Sequence, residues 1–359
     1  MTDRTFEADG LRRHVAMLVA ALGARPEDAR RVGAALVDAD LCGHRSHGVR
    51  QLPYYADQVR SGEIDVTSRP EILDDSGVLV TIDGHCGFGH VIGAEMASLA
   101  SERARQSRVG IVAVRNANHI GRVGEYTEML STRGLIGILL VTCQGADQQI
   151  APFGGIDRRL TNNPLSVSVP GPEFPITLDM ALSEAAESRV LHAADLGVAV
   201  PDGWLLDRDG APSTDPRDYL GGGSLLPVGG AAGSHKGYSL IVLTELLVGL
   251  LTGAAFCGPA QPPFSNSFVL IALDADSAAS ARMPEVAHLL GWIKSSRLRP
   301  WSEILVPGEL EARRRRQAGA SVTLDPVTVT QLDTVAERLG VEPRLADLGG
   351  DVHSEPVSP

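Results

Sequence analysis

The chain has 359 residues, 43% of them hydrophobic and 21% charged, enough to bury a sizeable core in one large or two smaller domains. Its formal net charge of -12 argues against nucleic acid or an anionic membrane as main partner, because both reward a basic surface. Cys42, Cys86, Cys143 and Cys257 are scattered without paired spacing, which fits a reducing cytoplasm and suggests neither a zinc site nor a disulfide framework.

Residues 11–22 carry apolar side chains at helical spacing, and residues 27–41 repeat the pattern after Pro26, a residue suited to a helix start. Two packed N-terminal helices are expected. From Val78 the pattern changes to short β-rich runs: VLVTI (78–82), VGIVAV (109–114), LIGILLVT (135–142), LSVSVP (165–170) and ITLDM (176–180), with helices between them, one over 94–107. Such alternation describes an α/β core. Between the first two runs lies GFGHVIG (87–93), glycine-rich before a helix as a dinucleotide loop is. Its G-x-G-x-x-x-G spacing, its distance from the strand and the lack of an acid after the next strand speak against a Rossmann fingerprint. Residues 201–227, rich in Gly, Pro and Asp, read as a long surface loop. Residues 237–251 read as a helix apolar almost all round, hence buried, and too short to span a membrane. FVLIAL (268–273) is another core strand, residues 313–316 a solvated arginine face on a terminal helix, and the last ten residues are expected to fray.

The densest polar cluster is GHRSHGVRQLPYY (43–55), which packs two imidazoles, two guanidiniums, a hydroxyl and two phenols just past a helix. A zinc site at His44 and His47 lacks a nearby third ligand, and a triad reading of Ser46 is weak because neighbours in sequence rarely have nucleophile and base geometry. General acid-base work on an anionic substrate suits the cluster better, since histidine titrates near neutrality and an arginine fork holds a carboxylate. A solvated polar loop is the plain alternative. His119 in NANHIG (116–121) and Asp179 in LDMA (178–181) stand at strand ends, where ligands gather in α/β sheets. His119 reads equally as a structural imidazole, and Asp179 as an N-cap for a following helix. Lys236, one of only two lysines, lies in a glycine-rich stretch (229–238) that opens a helix. That setting attracts phosphate, but Gly237 after the lysine departs from a P-loop.

Taken in order, SHGVRQLPYY, NANHIG, APFGG, NNPLSVSVP, LDMA, DPRDYL with LLPVGG, HKGYSL with ELLVGLLTGA, and ILVPGE resemble the malate/L-lactate dehydrogenase type 2 family across roughly residues 10–340. The family also contains ureidoglycolate, sulfolactate, diketogulonate and Δ1-piperideine-2-carboxylate enzymes. The resemblance implies a fold other than Rossmann: a mixed-sheet α/β cofactor-binding domain, here 76–295, and a helical domain from the chain termini, here 1–75 with 296–359. It implies a cytoplasmic homodimer that uses NAD or NADP and a small carboxylate substrate, with no metal. By position, His47 is the implied proton donor with Ser46 beside it, and His119 and Asp179 share the pocket. Arg50, Gln51 and Tyr55 are the implied substrate-binding residues. Asp179, Met180, Ala181, Leu182, Ser183, Lys236, Gly237, Pro307, Gly308 and Glu309 match the cofactor-contacting segments.

Two departures bear on this. Family members carry an arginine four residues after the motif histidine, where this chain has Gln51 and places Arg50 one residue earlier. A one-residue shift turns the side chain elsewhere. After the DMA segment the family has small residues and then Gly-Lys, where this chain has Glu184 and Glu187. The expected activity is interconversion of a 2-oxo acid and a 2-hydroxy acid by hydride transfer; reduction of a cyclic imino acid is the alternative, and a non-catalytic cofactor-binding protein the third.

Overall fold

A computed structural model describes residues 2–145, 148–258, 264–275, 281–348 and 351–352. A short strand, β1 (Arg4–Glu7), leads into helices α1 (Ala8–Ala21) and α2 (Pro26–Leu41). The Glu7 carboxylate accepts the amides of Asp9 and Gly10 and caps α1, while Pro26 stands at the start of α2, where its missing amide costs nothing. Leu11, Val15, Leu18 and Val19 of α1 bury with Val32, Leu36 and Val37 of α2, as the three-and-four spacing requires. Two short 3-10 turns, Arg45–His47 and Val49–Gln51, join α2 to α3 (Leu52–Ser61).

The main sheet is built from β2 (Glu71–Asp75), β3 (Leu79–Asp83), then α4 (Gly89–Ser107), β4 (Val109–Ala117), α5 (Gly124–Ser131), β5 (Ile136–Gln144), β6 (Leu165–Val169) and β7 (Ile176–Met180). Beyond it come α6 (Glu187–Leu196), β8 (Leu205–Leu206), β9 (Pro212–Ser213), α7 (Pro216–Leu220), β10 (Ser224–Leu225), α8 (Gly230–Thr252) and β11 (Ser265–Leu273). Strand β11 returns to the middle of the sheet, giving the order β2-β3-β4-β11-β5-β6-β7. Only β3 and β4 run parallel, joined across α4; every other neighbouring pair is antiparallel. Val112, Val114, Leu139, Val141, Phe268 and Leu270 pack with α4 and α5 on one face. Ala113 and Val269 meet Val248 of α8 on the other, so β11 needs an unbroken apolar run.

The chain closes with α9 (Met283–Lys294), α10 (Glu309–Ala318), β12 (Ser321–Leu324), α11 (Pro326–Leu339) and β13 (Asp351–Val352). Strand β1 pairs between β12 and β13, and Val329, Leu332 and Ala336 of α11 join the α1–α2 core, so both ends of the chain build one helical layer. This is the mixed α/β core with a terminal helical layer expected from the sequence. Strand β2, grouped in the sequence with the terminal helices, hydrogen-bonds to β3 in the large sheet.

Several local expectations change. Helix α4 begins at Gly89 rather than Ala94, and a Cβ on Gly89 would lie 2.3 Å from the Asn118 carbonyl oxygen. Glycine there lets the helix start against the NANHIG segment, so the GFGHVIG loop serves packing. The stretch 201–227 is not one loop: it holds the three two-residue strands β8, β9 and β10 and the helix α7. Helix α8 is apolar all round yet not buried all round. Ile241 and Val248 are fully covered, whereas Leu243 is 56% and Leu250 75% exposed, alongside Trp292 of α9 at 68%. Residues 313–316 are not a uniformly solvated face either, because Arg315 reaches an ion-pair network described below.

Candidate active site

The turns after α2 present Ser46 and His47, and the strand β4 delivers His119 two residues beyond its end. The two imidazoles stack, with ring centroids 5.6 Å apart and planes 18° from parallel. Ser46 Oγ lies 3.0 Å from Nδ1 of His47, and the Tyr55 hydroxyl, carried on α3, lies 2.6 Å from Nδ1 of His119. Each ring therefore has its Nδ1 held by a hydroxyl, and Nε2 of neither ring takes a hydrogen-bond partner among the described residues. His90 of α4 stands edge-on to Tyr55 at 5.5 Å and to His119 at 6.5 Å.

Burial dominates the protonation of this layer. It brings His47 down to about 3, aided by the nearby His119, His44 and Arg122, and His119 down to about 4. His90 is likewise held well below the usual imidazole range by burial, and the Tyr55 phenol well above its ordinary value. All four groups are neutral near pH 7. A buried phenol that stays protonated donates to its acceptor, so Tyr55 places the His119 proton on Nε2.

Beside the neutral layer lies a charged one. Arg122, 3% exposed, grips Glu128 with two bonds of 3.0 and 2.7 Å. Asp179 and Asp38 stand 3.7 and 3.8 Å from its guanidinium. Arg315 of α10 adds a second cation, 2.8 Å from Asp38 and 3.7 Å from Glu128. Burial opposes the charge on Arg122, but Glu128 holds its proton firmly. Burial pushes the Asp179 carboxyl up, against the pull of Arg122. Asp179 Oδ2 also accepts the Gly124 amide at 2.9 Å, so it caps α5 rather than a helix following its own strand. Sequence reasoning missed Arg122. Its signal is a guanidinium three residues past His119, between an apolar strand and a helix that supplies Glu128.

Gln51 Nε2 donates to the Ser46 carbonyl at 2.5 Å, bracing the turn. Arg50 is exposed, and its charge acts on Asp40 and Asp325. Ser183 is buried, its amide and hydroxyl both on Asn162 Oδ1 at 3.1 and 2.8 Å; Leu182 is buried, and Met180 and Ala181 are half-buried. Glu184 accepts the Gly229 and Gly230 amides at 2.8 and 2.9 Å, and Glu187 accepts from Gln149 and Tyr219, so the two additional acids tie the segment to its surroundings. Lys236 is exposed near the start of α8, with Gly237 buried against Val228. The Pro307 carbonyl accepts the Thr177 amide at 3.3 Å, which sets the turn of Pro307, Gly308 and Glu309 beside β7, the strand of Asp179. Glu309 itself holds Lys294 at 2.6 Å.

A family model described as malate/L-lactate dehydrogenase matches residues 6–333. L-sulfolactate dehydrogenase of Methanocaldococcus jannaschii is 33% identical over 89% of this chain and 92% of its own. The solved structure of that enzyme superposes with a TM-score of 0.85, covering 94% of this chain and 98% of the other. L-lactate dehydrogenase of Cupriavidus necator is 33% identical over 85% of this chain and 89% of its own. The structure of Δ1-piperideine-2-carboxylate reductase from Pseudomonas syringae matches with a TM-score of 0.80 and 26% identity, covering 93% and 100% of the two chains.

Proposed function

Because the chain belongs to the malate/L-lactate dehydrogenase family and is thereby an oxidoreductase, we propose that it interconverts a 2-oxo acid and its 2-hydroxy acid with a nicotinamide dinucleotide. The observation that carries this reading is the stacked pair of neutral imidazoles, each held at Nδ1 by a hydroxyl with Nε2 open. In the oxidative direction His47, unprotonated near neutral pH, takes the hydroxyl proton on Nε2. His119, with its proton on Nε2, donates a hydrogen bond to the same oxygen and stabilises the charge developing there. In reduction His47 returns that proton to the nascent alkoxide. The substrate's own carboxylate assists, since a negative charge close to a buried imidazole raises its affinity for a proton.

Bound NAD or NADP supplies or accepts the hydride. The donor set fits such a group. Asn118 is 1% exposed, and its Nδ2 donor has no hydrogen-bond partner among the described residues, which leaves an orphaned buried donor next to His119. Asp179, Met180, Ala181, Leu182 and Ser183 would line the cofactor on one side, with Lys236, Gly237 and the turn of Pro307, Gly308 and Glu309 around it. Arg50, Gln51 and Tyr55 remain the proposed substrate-side residues, Gln51 and Tyr55 acting through the turn and through His119. The same reading makes the protein a cytoplasmic homodimer, which the exposed leucines of α8 and Trp292 support. No helix among the described residues is long and apolar enough to cross a membrane.

Mixing purified protein with NADH or NADPH and a panel of 2-oxo acids, and following absorbance of the reduced cofactor, tests the assignment. Turnover of at least one oxo acid is expected; absence of both turnover and cofactor binding overturns it. Reduction of a cyclic imino acid is the second reading, favoured by the likeness to a Δ1-piperideine-2-carboxylate reductase; there Asp179 would supply the proton that the imine nitrogen takes as hydride reaches the carbon. Faster turnover of an imino acid than of every oxo acid, with a pH profile insensitive to loss of His47, selects it.

A further inference from the structure

Asp40 occupies the last turn of α2, a poor place for a carboxylate: the helix dipole presents its negative end there, and the side chain is half-buried. Burial pushes Asp40 up to about 7; the Val49 amide and the charges of Arg45 and Arg50 pull the other way, and Asp325 adds to the rise. The surroundings give the residue a task. Its Oδ2 accepts the Val49 amide at 2.9 Å. A Cβ built on Gly48 would lie 2.0 Å from its Oδ1, so the carboxylate presses directly on the residue after His47, and only glycine leaves room. Above it, the His47 amide bonds to the His44 carbonyl at 2.9 Å and the Gln51 amide to the Gly48 carbonyl at 3.0 Å. Asp40 therefore grips the junction of the two short turns that present Ser46 and His47. Facing it are Arg45 and Arg50 from those turns and, from the terminal layer, Asp325, the N-cap of α11.

We infer that Asp40 is a positioning residue for His47: its carboxylate fixes the turn that aims the imidazole at the substrate, and Arg50 serves as counter-charge to Asp40 and Asp325. The inference rests on His47 as the proton-exchanging group. It gives a task to an arginine that stands one place short of the family position. On the exposed side of the turn Arg50 balances two carboxylates, and Gln51 at the next place braces Ser46.

The experiment compares Asp40→Ala and Asp40→Asn in the full chain. Three measurements are made: carbethoxylation of His47 by diethyl pyrocarbonate, read by peptide mass spectrometry; kcat and KM; and the effect of Asp40→Ala in a His47→Gln background. Asp40→Ala is expected to speed His47 modification about tenfold and to lower kcat about 10- to 100-fold, with KM for the dinucleotide changed less than about twofold. Asp40→Asn, which keeps an oxygen for the Val49 amide, is expected to restore both to within about threefold of the parent. On top of His47→Gln, loss of Asp40 should cost nothing further. Unchanged His47 reactivity in Asp40→Ala, or an undiminished penalty in the His47→Gln background, overturns the inference. If Asp40→Ala does not fold, Gly48→Ala replaces it, since its Cβ displaces the carboxylate; unchanged His47 reactivity there is equally fatal. An enzyme that turns over no oxo acid refutes the proposed function instead, while the modification arm still decides the role of Asp40.

Discussion

Replacing Tyr55 by phenylalanine removes one oxygen from the centre of the proposed site. The ring is 1% exposed and its hydroxyl lies 2.6 Å from His119 Nδ1. Without it, Nδ1 is left unpaired in a buried place, at a cost of about 1–3 kcal/mol. That cost divides between folding and catalysis. Part of it is present in every folded state and appears as lowered stability. The rest appears only in the transition state: as the His119 Nε2 proton bonds to a developing alkoxide, electron density shifts to Nδ1, and the bond from Tyr55 strengthens. A differential of about 1.4 kcal/mol is a tenfold loss in kcat. The expected result is a fall in kcat of roughly tenfold, with KM for the dinucleotide little changed. The midpoint of urea unfolding should fall by an amount equivalent to about 1 kcal/mol. Rates come from absorbance of the reduced nicotinamide under saturation, and stability from urea titration followed by fluorescence. A variant with kcat within twofold of the parent refutes the idea that Tyr55 sets the tautomer of His119 for the chemical step.

Acid should destabilise the fold. His14, His47, His90 and His119 all bind protons more weakly in the folded chain than the ordinary imidazole value of 6.5. The unfolded chain therefore takes up more protons, and their contribution to stability is complete above about pH 6.5 and is lost as pH falls toward 4, by up to about 1.4 kcal/mol per pH unit for each group. Asp28, Asp40 and Asp179, raised by burial, act in the opposite sense. The net expectation is a urea midpoint that declines on acidification from about pH 6.5 to about 5, and a flat or rising midpoint contradicts neutral burial of the histidines. Arg122→Met should cost about 3–5 kcal/mol in urea unfolding, since it strands buried Glu128 and Asp179. Adding Glu128→Gln should recover part of that loss; no recovery means that packing, not charge, set the cost. Oxo-acid binding near neutrality should take up as much as one proton, seen as calorimetric heats that depend on the buffer's ionisation enthalpy. The uptake should vanish in His47→Gln, and persistence there moves the proton to another group.

Strands whose side chains meet fixed layers were legible. ITLDM spans β7 residue for residue, and Pro26 marked the start of α2, because both signals are local. Ser46, His47 and His119 were legible as motifs, although the stacking of the two imidazoles depends on the fold, which joins residues 47 and 119 across two α-helices and three strands. Arg315 was not. An arginine run reads as solvated unless its acids are known, and Asp38 lies 277 residues away in sequence. The leucines of α8 misled for a related reason: hydropathy records that a helix avoids water, not whether its own chain or a second surface covers it. The strands β8, β9 and β10 are two residues long, too short to show a period of two.

The juxtaposition of neutral and charged layers constrains the substrate. Arg122 and Arg315 supply two positive charges to a cage whose carboxylates are Asp38, Glu128 and Asp179. Were all three ionised, the cage would carry a net negative charge beside the proposed substrate site. Burial raises the Asp179 carboxyl above its ordinary value, against the pull of Arg122 and the Gly124 amide, and so moderates that negative charge. On the proposed mechanism the charge of an anionic substrate acts on His47, the group that exchanges the proton, so that binding and proton placement are coupled through the imidazole.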